Sequence, residues 1–97
     1  MSRSNYLKGR DREYYVVGKL RQAGALLVKR SYASKGPVDL IAVFPDTVRL
    51  VQVKKNGIPR AELEALQEFA SKITSDAVKV ELWVFKGKGH GVEVSVL

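Results

Sequence analysis

Two carboxylates stand at unusual positions in this sequence. Asp39 interrupts the run from Val38 to Phe44, which is otherwise apolar. Glu13 lies three and four residues before Val16 and Val17, on the apolar side of a predicted helix. A lone buried carboxylate is costly unless it is paired or binds a metal ion. Both positions therefore favour either a structural ion pair or a metal site.

The segment after the turn at Pro45 and Asp46 supplies complementary polar groups. Strand side chains alternate between faces, so Gln52 and Lys54 share one face, and a hairpin would bring Asp39 near one of them. Oxygen ligands of this kind suit Mg²⁺ or Mn²⁺, with Glu13, Asp39 and Gln52 as the candidate ligands. A bound divalent ion polarises a phosphate and activates water, and a lysine stabilises the developing charge. The chemistry implied is phosphodiester hydrolysis, with the same three ligands and Lys54 as the candidate catalytic residues.

Each of these residues also has an ordinary structural interpretation. Glu13 could pair with a nearby Lys or Arg, Asp39 could cap a turn after Pro37, and Lys54 could be a solvated lysine at a strand end. The occurrence of all four candidate residues in one chain, in this element order, favours the catalytic interpretation.

The charge balance predicts a polyanionic partner. Seventeen Lys and Arg against ten Asp and Glu leave a formal charge of +7, which favours nucleic acid, although a solvated surface remains an alternative. Residues around the candidate site are predicted DNA contacts: Lys8, Arg10, Arg12, Arg30, Ser31, Ser34, Lys35 and Lys55.

The hydrophobic patterns predict a single α/β domain over residues 1–97. The expected elements are a helix over 4–23, a short apolar strand over 25–28, strands over 38–44 and 48–55, a helix over 59–73, and strands over 78–85 and 92–97. Loops are expected over 32–37 and 87–91. The strand over 38–44 is predicted to be buried on both faces. A central mixed five-stranded sheet with one helix on each face, a three-layer α-β-α arrangement, buries both helix stripes most simply.

Four segments carry a family resemblance. Lys8 to Glu13, Val28 to Ser31, Gly36 to Ala42 and Val51 to Lys54 resemble, in order and spacing, the archaeal Holliday junction resolvases of the PD-(D/E)xK nuclease superfamily. The similarity covers roughly residues 8–73. It implies a restriction-endonuclease-like fold and a metal-dependent endonuclease that cuts four-way DNA junctions as a homodimer.

The resemblance also implies residue roles. Glu13 matches the family's first-helix glutamate, Asp39 its metal-binding aspartate and Lys54 its catalytic lysine. Gln67, beside the apolar stripe of the second helix, falls where several nucleases of the superfamily carry a polar residue near the lysine. Gln52 departs from the pattern, because the family usually has an acidic ligand there, although Mrr-like restriction enzymes resemble this chain in using glutamine. A restriction-like or repair nuclease acting on duplex DNA, and a DNA-binding relative without catalysis, therefore remain alternatives.

The sequence gives no sign of a membrane or an export signal. No apolar run approaches the ~20 residues that a membrane helix needs, the segment from Met1 to Arg12 is polar and basic, and the chain has no cysteine. We therefore expect an intracellular, cytoplasmic protein.

Overall fold

The computed structural model describes the backbone of residues 5–31, 37–86 and 91–97, with the side chains of those ranges from residue 11 onward. The elements are α1 (Asn5–Gln22), β1 (Leu27–Arg30), β2 (Leu40–Val43), β3 (Val48–Lys55), α2 (Arg60–Ser71), β4 (Val78–Phe85) and β5 (Val92–Val96). This is the predicted order of helices and strands. The loops expected over 32–37 and 87–91 lie almost entirely outside the described residues.

The five strands form one mixed sheet in the order β1-β2-β3-β4-β5. β1 pairs with β2, β2 with β3, and β4 with β5, all antiparallel. β3 and β4 are parallel. Parallel neighbours need a crossover connection, and α2 lies in that connection. The predicted hairpin around Pro45 and Asp46 is present, because the Phe44 N–H donates to the Thr47 carbonyl at 2.7 Å.

Each face of the sheet is covered by one helix, so the three-layer arrangement is confirmed. On one face Val16 and Leu20 of α1 pack with Leu40, Ala42, Phe44, Val51 and Trp83, and we call this group the α1 cluster. On the other face Leu66 of α2 packs with Val38, Val80, Leu82 and Val84, and we call this group the α2 cluster. Full burial of a leucine such as Leu20 or Leu66 contributes about 1.5–3 kcal/mol relative to exposure. No helix in the described part of the chain is long and apolar enough to cross a membrane.

The prediction that the second strand is buried on both faces is wrong. Leu40 and Ala42 are fully buried under α1, whereas Ile41 on the opposite face is 37% exposed. The reason is that α2 packs over β4 and the neighbouring part of β3, and leaves the same face of β2 uncovered. β2 is also shorter than predicted, since it begins at Leu40, after Val38 and Asp39.

The connection from β3 to α2 returns the chain over the end of the sheet. Asn56 has a φ of 66° and Gly57 a φ of 151°, so the backbone turns sharply through a region that side chains rarely adopt. Pro59 is the N-cap residue of α2, so the helix begins at Arg60, one residue later than predicted, and the Pro59 carbonyl accepts the Leu63 N–H at 2.9 Å. The first turn of α2 therefore lies beside the last residues of β3.

Candidate active site

Asp39 sits where the pairing of β2 with β3 ends. Its backbone N–H donates to the Val51 carbonyl at 2.7 Å, and its carbonyl accepts the Ser31 N–H at 2.8 Å. Its carboxylate Oδ2 accepts the Val53 N–H at 2.8 Å, so a side-chain oxygen takes the place of a backbone carbonyl as the acceptor for β3 beyond the end of β2. Oδ1 accepts no hydrogen bond from the described residues. One oxygen thus has a structural role, and the other has no hydrogen-bond donor among the described residues.

Gln52 and Lys54 share a cleft with Asp39, as we predicted from the hairpin. The cleft has a volume of about 330 Å³, and we call it the Asp39 cleft. It is lined by Pro37, Asp39, Gln52, Lys54, Ile58, Glu62, Ala65 and Leu66. Lys54 and Gln52 point to the α2 face of the sheet, because Lys54 pairs in register with Val84 and Gln52 with Leu82, both in the α2 cluster.

Glu62 is a cleft residue that sequence reasoning missed. It lies in the first turn of α2, and Lys54 Nζ donates to its Oε1 at 2.6 Å. Its side chain is 50% exposed, against 23% for Lys54. The signal available in the sequence was weak: Pro59 marks a helix start after β3, and an acidic residue three positions later lies in the first turn of that helix.

Glu13 lies in another environment. Arg30 Nε donates to its Oε1 at 2.7 Å, and both side chains are partly buried. Arg30 pairs in register with Leu40, whose side chain belongs to the α1 cluster, so the ion pair is on the α1 face of the sheet. The structure thus brings Asp39, Gln52 and Lys54 together in one cleft, and Glu13 is not among the residues that line it.

The predicted DNA contacts within the described residues differ in exposure and in the face that they occupy. Arg12 and Ser31 are partly buried, and Ser31 is hydrogen-bonded to the Asp39 backbone. Lys55 is exposed and points to the face opposite Lys54. The side chains of Lys8 and Arg10, and all of Ser34 and Lys35, lie outside the described residues. Gln67 is exposed and lines a separate depression with Ala70, Ser71 and Leu97 rather than the Asp39 cleft.

The polar side chains that line the Asp39 cleft carry two carboxylates, one amide and one ammonium group. Across the described residues, no three His, Cys, Asp or Glu side chains cluster closely enough to hold a metal ion. Mg²⁺ commonly needs less than that, because one or two carboxylates with waters and substrate phosphates complete its octahedron. The carboxylate and amide oxygens of the cleft therefore fit a hard divalent cation whose other ligands are waters and a substrate.

Comparison with known proteins supports the fold. No protein-family model matches the chain, and no curated protein matches it in sequence. Among solved structures it is similar to the Holliday junction resolvase Hjc of the archaeal hyperthermophile Archaeoglobus fulgidus, with a TM-score of 0.57 and 19% sequence identity. The match covers 88% of this chain and 71% of that one. The chain therefore has the α/β, restriction-endonuclease-like fold of an archaeal Holliday junction resolvase.

Proposed function

We propose that this protein is a metal-dependent endodeoxyribonuclease that cuts four-way DNA junctions as a homodimer. The observation that carries the proposal is the convergence of Asp39, Gln52 and Lys54 on one open cleft. The cleft lies at the end of the β2–β3 pair away from the turn at Pro45 and Asp46. These are the side chains that the sequence motif selects, and they occur on a fold shared with a resolvase.

The protein groups that would hold a divalent ion are Asp39 and Gln52. Asp39 offers the carboxylate oxygen that Val53 does not use, and Gln52 offers a neutral amide oxygen. A bound Mg²⁺ or Mn²⁺ supplies Lewis-acid polarisation of the phosphate and a lower pKa for a bound water. Glu13 is hydrogen-bonded to Arg30 through one oxygen and does not line the cleft, so its proposed part in metal binding requires that its side chain move towards the cleft.

Lys54 is the proposed catalytic lysine. Its ammonium reaches the cleft from β3 and donates three hydrogen bonds when fully used. It would orient an attacking water and stabilise the negative charge that develops on the phosphate oxygens. In the reaction the water oxygen bonds to phosphorus, one phosphorus–oxygen ester bond breaks, and the leaving oxygen takes up a proton.

Charge and symmetry support a DNA substrate and a dimer. A chain of formal charge +7 attracts phosphates, and binding that neutralises many phosphates weakens steeply as salt rises. A four-way junction has two strands to cut, so two copies related by a twofold axis would place one cleft at each. Arg12, Arg30, Ser31 and Lys55 are the proposed phosphate contacts within the described residues, with Lys8, Arg10, Ser34 and Lys35 beyond them.

The test is cleavage of a labelled synthetic four-way junction beside a linear duplex of the same sequence, in Mg²⁺ or Mn²⁺ and with chelator. We expect paired nicks in the junction, dependence on the metal, and a sedimentation mass equal to two chains. Cleavage of the duplex at the same rate would indicate a restriction-like or repair nuclease. Tight DNA binding without cleavage of either substrate would contradict the catalytic proposal and leave a DNA-binding relative of the fold.

A further inference from the structure

Glu62 differs from the other acidic residues of α2 in its partner. Glu64 pairs with Arg60 at 3.3 Å and Glu68 with Lys72 at 3.3 Å, and both are i,i+4 pairs on the exposed surface of the helix. Glu62 instead reaches across to Lys54 of the neighbouring strand at 2.6 Å and lines the Asp39 cleft. Only this one of the three carboxylates is directed into the proposed catalytic site.

An ordinary structural role does not account fully for that placement. An acidic residue in the first turn stabilises a helix by about 0.3–1 kcal/mol, and an exposed ion pair adds little. Either effect would be served by a carboxylate on the solvent side of the first turn. A carboxylate in the cleft instead changes the charge that a ligand of the cleft encounters.

The charges of the cleft point to a cation as that ligand. Without Glu62, Asp39 and Lys54 cancel, and Gln52 adds no charge, so a divalent ion would meet a neutral site. With Glu62, two carboxylates face one ammonium, and Glu62 Oε2 accepts no hydrogen bond from the described residues. Oε1 can keep its contact with Lys54 while Oε2 faces the cleft. Affinity for hard divalent ions rises with the number of charged oxygen ligands.

We infer that Glu62 is the second carboxylate of the divalent-cation site and supplies from α2 the negative charge that the neutral side chain of Gln52 does not. The inference rests on the proposed function and concerns the same cleft. It makes Glu62 a metal ligand that also holds Lys54 in place, and it requires no movement of Glu13.

The experiment measures Mn²⁺ binding by the DNA-free protein, from the electron paramagnetic resonance signal of free Mn²⁺. Glu62→Gln is compared with the matched control Glu64→Gln, which removes the same charge from the same helix outside the cleft. We expect Glu62→Gln and Asp39→Asn each to weaken binding on the order of tenfold or more, since even outer-shell partners of metal ligands cost about 10–100-fold. Glu64→Gln should bind as the wild type does.

A second variant separates a lost ligand from a damaged fold. Gln52→Glu combined with Glu62→Gln returns a carboxylate to the cleft from β3, and we expect it to recover most of the Mn²⁺ affinity. Equal binding by Glu62→Gln and Glu64→Gln, with Asp39→Asn still impaired, would overturn the role of Glu62 and leave the nuclease proposal intact. Absence of Mn²⁺ binding by the wild-type protein would overturn this inference, and the junction assay would then decide the nuclease proposal separately.

Discussion

The two faces of the sheet each carry a carboxylate among apolar residues, in opposite circumstances. On the α1 face Glu81 is 6% exposed and has two partners. Trp83 Nε1 donates to its Oε1 at 3.0 Å, and Arg49 Nη1 lies 3.6 Å from its Oε2. Arg49 in turn lies over the Phe44 ring, 4.2 Å from its centroid. On the other face, Asp39 has one oxygen bonded to Val53 and lines an open cleft.

This difference distinguishes a carboxylate whose partners are complete from the one that we propose binds a metal ion. The Glu81 network, formed by Glu81, Trp83, Arg49 and Phe44, has a partner for each carboxylate oxygen, and a satisfied network of this kind fixes a core. In the Asp39 cleft, one carboxylate oxygen accepts no hydrogen bond from the described residues, and Lys54 lines the same space, which is large enough for a phosphate. Glu81 is also the more buried of the two carboxylates, but the number of partners is the difference that bears on ligand binding.

The largest expected effect is that of Lys54→Ala on the rate of junction cleavage. Because Lys54 is proposed to stabilise charge in the transition state, kcat should fall on the order of 10²–10³-fold, as for loss of a comparable donor. Its neighbour Lys55 points to the other face of β3, so Lys55→Ala is the matched comparison. Lys55→Ala should weaken DNA binding and preserve kcat. The slope of the logarithm of the binding constant against the logarithm of the salt concentration should fall by about 1. Equal losses of kcat in both variants would contradict the role of the cleft.

Glu81→Ala should affect stability rather than chemistry. It leaves Trp83 Nε1 without its acceptor and Arg49 without its counter-ion, and loss of hydrogen bonds to a charged group costs about 1.5–3 kcal/mol. In a domain of this size each kcal/mol lowers the Tm by roughly 4–8 °C. Thermal unfolding followed by circular dichroism measures the shift. An unchanged Tm would show that the Glu81 network does not stabilise the core.

The smallest expected effect is that of Glu13→Gln. Glu13 is intermediate between Glu81 and Asp39 in its environment, because it is partly buried and paired with Arg30. Loss of the charged partner of Arg30 should lower the unfolding free energy by about 0.5–1.5 kcal/mol. Because Glu13 is paired outside the Asp39 cleft, we expect a smaller loss of cleavage than Asp39→Asn causes. The two variants are compared in denaturant titrations and cleavage assays at one temperature. A loss equal to that of Asp39→Asn would show that Glu13 acts in the catalytic site together with Asp39.

Much of the fold could be predicted because its signals are local. β3 and β4 have the predicted bounds, since turn residues border both apolar segments. The hairpin followed from Pro45 and Asp46, and its register brought Asp39 to Gln52 and Lys54. The error on β2 has a tertiary cause: an apolar run does not reveal which half of a sheet the second helix covers.

The parts of the site that could not be predicted depend on contacts between distant elements. Glu62 enters the cleft because Asn56 and Gly57 turn the chain back over β3. The Asn-Gly pair predicts a turn, but it does not predict which residue of α2 then meets Lys54. Glu81 alternates with Lys79 in β4 and thus has the pattern of a solvated face. Only the three-dimensional positions of Arg49 and Trp83 show that it is buried and paired.

The most direct test of the account is one junction-cleavage assay on the wild-type protein, Asp39→Asn and Glu81→Gln, with the Tm of each measured alongside. Asparagine keeps an oxygen for the Val53 N–H, and glutamine keeps one for Trp83, so both variants should fold. We predict that Asp39→Asn retains a Tm near that of the wild type and loses cleavage, whereas Glu81→Gln melts lower and still cuts. Normal cleavage by Asp39→Asn, or its loss in folded Glu81→Gln, would contradict the assignment of the Asp39 cleft as the catalytic site.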